Sequence, residues 1–453
     1  MLIKGAQIEV EVSGVDVEGA GVAATEPPLH VPYALPGERV IAEVLHVSPH
    51  GTAAWGRLHA LKTPSPERVA PACRAFGRCG GCVLQHWEGA AQLAWKRERL
   101  AQALGPLAGE VLPTVASPRA LGYRNRSKLV WGVDDGDGRV VLGAYAPRSH
   151  DIVDLAGCAI AEPPLDEVAA RLAELARALG VSIHDERRAE GVLRYALLRV
   201  NWRGEVQVLL VVAQRGRPEV AALGHALGAA CPSVLGVVEN FQPARGDALV
   251  GRDSEDVVLA GEPMLEERVG AVRLLVSPRA FLQVNRGVAE RLYADVARAA
   301  ALTGAEQVID VYSGVGGIAL TLAPGASSVI GIEEEPAAVR DAAAAAALGG
   351  VGQARFLAGD AARLLGEMAR HHQRADVVVL NPPRKGVAAE VLAAVEALRP
   401  RTLLYVSCSP DSLARDLGRL AAQGYPCRRV TPYDMLPHTP HVEALAELTP
   451  GPA

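Results

Sequence analysis

Between residues 307 and 408, five short and mostly apolar runs (307–312, 328–332, 354–357, 376–380 and 403–406) are each followed by a turn and then by a helical pattern. Runs this short and this apolar read as strands buried on both faces, and a helix between each pair makes neighbours parallel. The arrangement that satisfies both conditions is an α/β, doubly wound, Rossmann-like sheet, and the alternation begins near residue 271. In such a sheet ligands bind beyond the carboxyl ends of the strands, so the residue after each run is where chemistry is expected.

After the first run come Ser313-Gly314-Val315-Gly316-Gly317, in which Gly314 and Gly317 let backbone approach a ligand closely. That turn alone suits a dinucleotide as well as any other adenosine ligand. Glu333 ends the second run, placed to accept from both ribose hydroxyls, and Asp360 follows the third, placed to accept from an adenine amino group. Either acid alone reads as a surface or capping residue; in this order they read as a nucleoside site. The fourth run leads into Asn381-Pro382-Pro383-Arg384, a tetrapeptide many methyltransferases set beside the target atom. Enzymes that methylate base amino groups carry an aromatic at its fourth place, so Arg384 points to carbon chemistry instead. Cys408 follows the fifth run and precedes Ser409-Pro410 and a helical stretch from Asp411. A thiol aimed at the ligand cleft is a candidate nucleophile; a buried core cysteine is the competing reading. Residues 441–448 start one more strand, with Glu443 at its mouth.

Upstream, 453 residues allow two to four domains, and three stretches differ in character. Residues 1–61 alternate with period two between glycine and proline turns, the pattern of a small OB-like barrel. Residues 62–270 form a central α+β region, with a helix over 165–180, a strand pair at 193–200 and 206–212, and Pro/Gly turns over 240–251. Residues 271–453 are the alternating domain. Cys73, Cys79 and Cys82 stand at C-x5-C-x2-C spacing, and Cys158 is the next cysteine along. One close group plus one distant thiolate favours a [4Fe-4S] cluster, with structural zinc or no metal left open. Cys231 and Cys427 read as core residues. The chain carries a net charge of -5, yet residues 56–128 hold 12 Lys/Arg against 4 Asp/Glu. Arg124, Arg126 and Lys128, with Tyr123 beside them, suit phosphate contacts and base stacking, and an exposed basic turn is the alternative. No run of about 18 apolar residues and no signal-peptide pattern is present, so the expectation is a cytoplasmic protein without a membrane partner.

Taken together these stretches resemble the RNA 5-methyluridine (uracil-5-) methyltransferases of the iron–sulfur-containing class that modifies 23S ribosomal RNA, over nearly the whole chain. The matching pieces are the N-terminal barrel, called TRAM in that family, the four cysteines, Phe281-Leu282-Gln283-Val284-Asn285, the glycine turn, the Pro-Pro-Arg loop, Ser407-Cys408-Ser409-Pro410 and His441-Val442-Glu443. The resemblance implies that S-adenosylmethionine is held by Gln283, Tyr312, Glu333 and Asp360, with Asn381 between donor and uracil. It also implies that residues around 88–120 pack on the catalytic domain. Two positions depart from the family: Gly317 stands where many relatives have Asn, and Asn381 replaces the commoner Asp. The Asn contact is therefore expected to be lost or made by backbone.

Carbon 5 of uracil is too weak a nucleophile to take a methyl group unaided. Addition of the Cys408 thiolate to carbon 6 makes an enolate whose carbon 5 attacks the sulfonium methyl, and Glu443 then removes the carbon 5 proton. Lys128 or Arg126 is placed to stabilise the enolate oxygen. A transfer-RNA uridine is the alternative target. A nicotinamide-dependent iron–sulfur oxidoreductase would leave Arg384, Cys408 and Glu443 without work, and an RNA-binding module without catalysis leaves Cys408 and Glu443 unused. A monomer with no obligate protein partner is expected.

Overall fold

The computed structural model describes residues 2–134, 136–243, 249–251 and 255–451; residues 244–248 of the expected 240–251 turn region lie outside them. Strands Gln7–Val15, Ala20–Ala23, Leu29–Pro32, Ala54–Thr63 and Arg39–Val47 close into a barrel in that order. The period-two alternation turns Val12, Leu29, Val31, Val40, Ala42 and Val44 inward, each no more than 1% exposed. Glu38 is fully buried at the barrel's edge, where Arg68 and the backbone N–H groups of Leu35 and Ser65 donate to it. One carboxylate so ties the barrel to the segment that follows.

The central region is a seven-stranded sheet in the order Val257–Gly261, Val234–Phe241, Val206–Val212, Leu193–Val200, Arg126–Val133, Val140–Tyr145, Ile152–Asp154. Helices Pro163–Ala178 and Pro218–Ala230 bury one face of it, through Leu165, Val168, Leu172, Val220, Leu223 and Leu227.

The C-terminal sheet has seven strands in the order Ala354–Ala358, Ser328–Glu333, Gln307–Val311, Val377–Leu380, Thr402–Ser407, Glu443–Leu448, Cys427–Tyr433. The first five are parallel, as their apolar composition requires, and the last two run antiparallel to their neighbours. Separate apolar clusters cover the two faces.

Residues 89–115, inside the 62–270 stretch, are built onto this sheet. Helix Gly89–Leu104 packs on helix Pro410–Ala422, and its Lys96 is fully buried, donating to Asp434 and the Leu436 carbonyl. The chain then runs parallel to strand Cys427–Tyr433, bridging Ala108 to Cys427, Val111 to Val430 and Val115 to Tyr433. This is the packing that the family resemblance implied. No helix among the described residues is long and apolar enough to cross a membrane.

Candidate active site

Cys408 is the single residue between the end of strand Thr402–Ser407 and the N-cap of helix Pro410–Ala422, where the Ser409 side chain accepts from Ser412 N–H. The antiparallel register pairs Ser407 with Ala444, so the next step of the ladder sets Glu443 opposite Cys408. Glu443 is 7% exposed, and burial pushes its carboxyl up to about 8, with Arg384 holding it back. Burial and the nearby Glu443 raise the Cys408 thiol as well, while Arg384, hydrogen-bonded to it, pulls it down. Thiol and carboxyl therefore compete for negative charge, and the cation between them sets how much the site tolerates. Arg384 Nη2 also lies 3.4 and 3.5 Å from the two ring nitrogens of His441. Burial, followed by Arg384, Lys96, Arg99 and Arg124, lowers His441 to about 4, so its imidazole is neutral at pH 7.

Along the same sheet edge, the glycine turn follows strand Gln307–Val311. Tyr312 (φ 64°), Gly314 (φ 54°) and Gly316 (φ 83°) all adopt left-handed backbone, which bends the chain sharply into helix Gly317–Leu322. Asp310 is fully buried beneath it: one oxygen accepts from Ala319 N–H at 2.9 Å, the other has no partner among the described residues, and burial raises its pKa to about 7. Glu333 accepts from Gly314 N–H at 3.0 Å and so sits against the turn. Asp360 caps helix Ala361–Arg370 through Arg363 N–H at 2.8 Å. Its placement satisfies the capping reading, and the resemblance adds the nucleoside one. Gln283 is 8% exposed, and Asn125, just ahead of strand Arg126–Val133, donates to its carbonyl. Asn381 continues the neighbouring strand, its N–H bonded to Val311 O.

At Gly317 packing leaves no place for a side chain. An added Cβ would come within 2.8 Å of the Tyr293 ring and hydroxyl, so tyrosine fills the space of a 317 side chain.

The family described as tRNA (uracil-5-)-methyltransferase matches residues 276–449. An RNA methyltransferase of Geobacter sulfurreducens is 40% identical, covering 98% of this chain and 90% of the relative. Another, from Halalkalibacterium halodurans, is 36% identical over 97% and 96%. The chain belongs to the RNA uracil-5-methyltransferase family. A solved structure, the tRNA (uracil-54, C5)-methyltransferase of Pyrococcus abyssi with S-adenosyl-L-homocysteine, is 27% identical with a TM-score of 0.78, covering 98% of this chain and 100% of that one. This uracil-5-methyltransferase thus uses S-adenosylmethionine to methylate uracil carbon 5 in RNA.

In this methyltransferase Cys73, Cys79, Cys82 and Cys158 line one cavity of about 450 Å³. They lie near enough that Cys82 and Cys158, raised mainly by burial, are raised further by the other thiols. Among the described residues no group of three or more His, Cys, Asp or Glu side chains is close enough to hold a metal ion.

Of the basic stretch, Lys128 is exposed and Arg124 partly so. Arg126 pairs with Arg199 in the central sheet, and burial followed by Arg124 lowers its pKa. Tyr123 is corrected: at 2% exposure, donating to the Pro437 carbonyl, it is a core residue and cannot stack on a base. Arg384, His441 and Asp310 were missing from the residues assigned from sequence. Arg384 entered only as a missing aromatic, although a cation beside a proposed thiolate was itself the usable signal.

Proposed function

We propose that this methyltransferase modifies a uridine of 23S ribosomal RNA through a covalent adduct between Cys408 and uracil carbon 6. The observation that carries the reading is the ladder step that sets the buried Glu443 against Cys408, with Arg384 beside both. The Cys408 thiolate adds to carbon 6 and the electron pair moves to the carbon 4 oxygen. Carbon 5 then takes the methyl group, releasing S-adenosylhomocysteine. Glu443 removes the carbon 5 proton, and elimination across carbons 5 and 6 returns the thiolate. Gln283, Tyr312, Gly314, Gly317, Glu333, Asp360 and Asn381 form the donor pocket, and the target base leaves its stack to reach the thiol.

Arg124, Arg126 and Lys128 form the RNA-facing part of the central region, with Arg126 acting from within the sheet. The protein works in the cytoplasm as a monomer, divided as 1–61, 62–270 and 271–453, with residues 89–115 lent to the catalytic unit. Cys73, Cys79, Cys82 and Cys158 hold a [4Fe-4S] cluster. Four thiols around one cavity suit that group, which supplies a rigid tie and no electron to methyl transfer. Two backbone routes lead from it to the catalytic unit: Leu84 N–H bonds His438 O, and Arg124-Asn125 joins Ile160 O to Val284 O.

A transfer-RNA target is the second reading, because the Pyrococcus enzyme that acts on tRNA uracil 54 matches the full length, barrel included. The test is incubation with labelled methyl donor and either unmodified 23S RNA or transfer RNA, followed by mapping of 5-methyluridine. Cys408→Ala abolishes methylation of both, and RNA carrying 5-fluorouridine at the target traps wild-type protein covalently. Turnover by Cys408→Ala sinks the mechanism; labelling of transfer RNA alone moves the target.

A further inference from the structure

The loop with Arg384 and the loop with Cys408 lie on adjacent strands, and one buried carboxylate fastens them together. Asp416, in the second turn of helix Pro410–Ala422, is fully buried. Its Oδ2 accepts from Tyr405 Oη at 2.7 Å, Val387 N–H at 2.8 Å and Arg415 Nη2 at 3.1 Å, and its Oδ1 accepts from Arg415 Nε at 2.9 Å. Tyr405 lies in the strand that ends just before Cys408, whereas Val387 closes the loop that begins at Asn381. Arg415 turns back to donate to the Lys385 carbonyl at 2.8 Å, next to Arg384. Between them Gly386 is left-handed (φ 78°), and a Cβ there would overlap both Asp416 and Arg415. Gly386 thus has no room for a side chain while Asp416 keeps its partners, and the loop backbone is held at both Lys385 and Val387.

We propose that Asp416 is a positioning residue for methyl transfer, fixing the Pro-Pro-Arg loop so that the Arg384 guanidinium stays on the Cys408 thiol. The remaining charges at Asp416 come from Arg415 and Arg419, the latter 3.7 Å away. Those that act on Cys408 are Glu443 and Arg384. Asp416 acts through geometry, because its carboxylate is consumed by Tyr405, Val387 and Arg415. The assignment rests on Cys408 being the nucleophile.

The test is Asp416→Asn in the full-length protein, with steady-state kinetics and the pH dependence of iodoacetamide alkylation at Cys408, followed by peptide mass spectrometry. With the amide oxygen in the place of Oδ2, the NH2 group faces Arg415 Nε donor to donor, so Arg415 is displaced and the loop it ties through Lys385 loosens. A displacement of about 1 Å lowers kcat on the order of 10- to 100-fold, with KM for the donor unchanged. The alkylation profile decides between positioning and general loss of structure. Removing a negative charge by itself favours the thiolate and moves the profile to lower pH, whereas losing Arg384 moves it to higher pH. A profile that moves up together with a fall in kcat supports the assignment. A profile that stays or moves down, or a kcat within about threefold of wild type, overturns it. If Asp416→Asn does not fold, Arg415→Lys keeps the charge while removing the two-pronged contact with Asp416 and the tie to the Lys385 carbonyl, and is read by the same two criteria. The alkylation readout does not require turnover, so methylation by Cys408→Ala would refute the nucleophile without deciding the role of Asp416.

Discussion

Glu443→Gln probes two effects of one burial, because glutamine keeps the shape and cannot ionise. In the folded protein the carboxyl has moved from the ordinary 4.5 to about 8, so at pH 7 the unfolded chain carries the charge and the folded one the proton. That difference costs wild type about 3 kcal/mol at pH 7 and about 5 kcal/mol above pH 9. The sign follows from the raised value: Glu443 leaves stability intact below about pH 4.5, erodes it as pH rises towards 8, and leaves it level beyond. The variant has no such slope, so its advantage over wild type grows across this window, offset by a constant 1–3 kcal/mol or so for a poorly paired buried amide. Urea titrations at about pH 5, 7 and 9 read the slope directly. Under the proposed mechanism the carbon 5 proton has no acceptor in the same variant. Turnover is expected to fall about 10²- to 10⁴-fold, and protein–RNA adduct accumulates, visible under denaturing conditions. Wild-type turnover, by contrast, rises with pH through about 8 as the carboxylate forms. Parallel stability profiles for the two proteins, or a variant that turns over without trapping RNA, would refute the reasoning.

Asp434→Asn strands the Lys96 ammonium at 0% exposure and is expected to cost about 3–5 kcal/mol in urea, most of which Lys96→Met restores in the double variant. Gly317→Ala forces a methyl group into the Tyr293 ring and hydroxyl, and weakens donor binding in calorimetry by about 1–3 kcal/mol; adding Tyr293→Phe recovers part of it, since the hydroxyl is one of the overlapping atoms. If the proposed cluster is held by these thiols, purified wild type carries iron and visible absorbance, and replacing Cys73 and Cys158 together by Ser removes both, with RNA binding lost while donor binding persists; wild type without iron refutes the proposal. Donor binding lost along with the iron would make the cluster part of the nucleoside pocket.

The sheet was legible because five mostly apolar runs with helices between them have one economical solution, and Cys408 and Glu443 were legible because each sits where a strand meets the cleft. The hydrogen bonds that join them to Arg384 were not, since residues 384, 408 and 443 are distant in sequence and only the register brings them together. Tyr123 misled for a related reason, and the burial of Lys96 was hidden by the same one. An aromatic or cation among basic residues reads as surface, and its burial is decided by Pro437 or Asp434, more than 300 positions away. Asp416 gave no signal at all: on a helix pattern it is one acid among arginines, and its worth lies in Tyr405 and Val387, supplied by a strand and a loop elsewhere in the chain, besides the adjacent Arg415.

The early segment that runs beside strand Cys427–Tyr433 also bears on how the chain is made. An open sheet with an unprotected outer strand invites pairing between molecules during synthesis, when its last members emerge. Here residues 108–115 leave the ribosome some 300 residues before the strand they shield, so the cover exists before the edge does. A protein that lost this stretch would be exposed to aggregation once strand Cys427–Tyr433 had appeared.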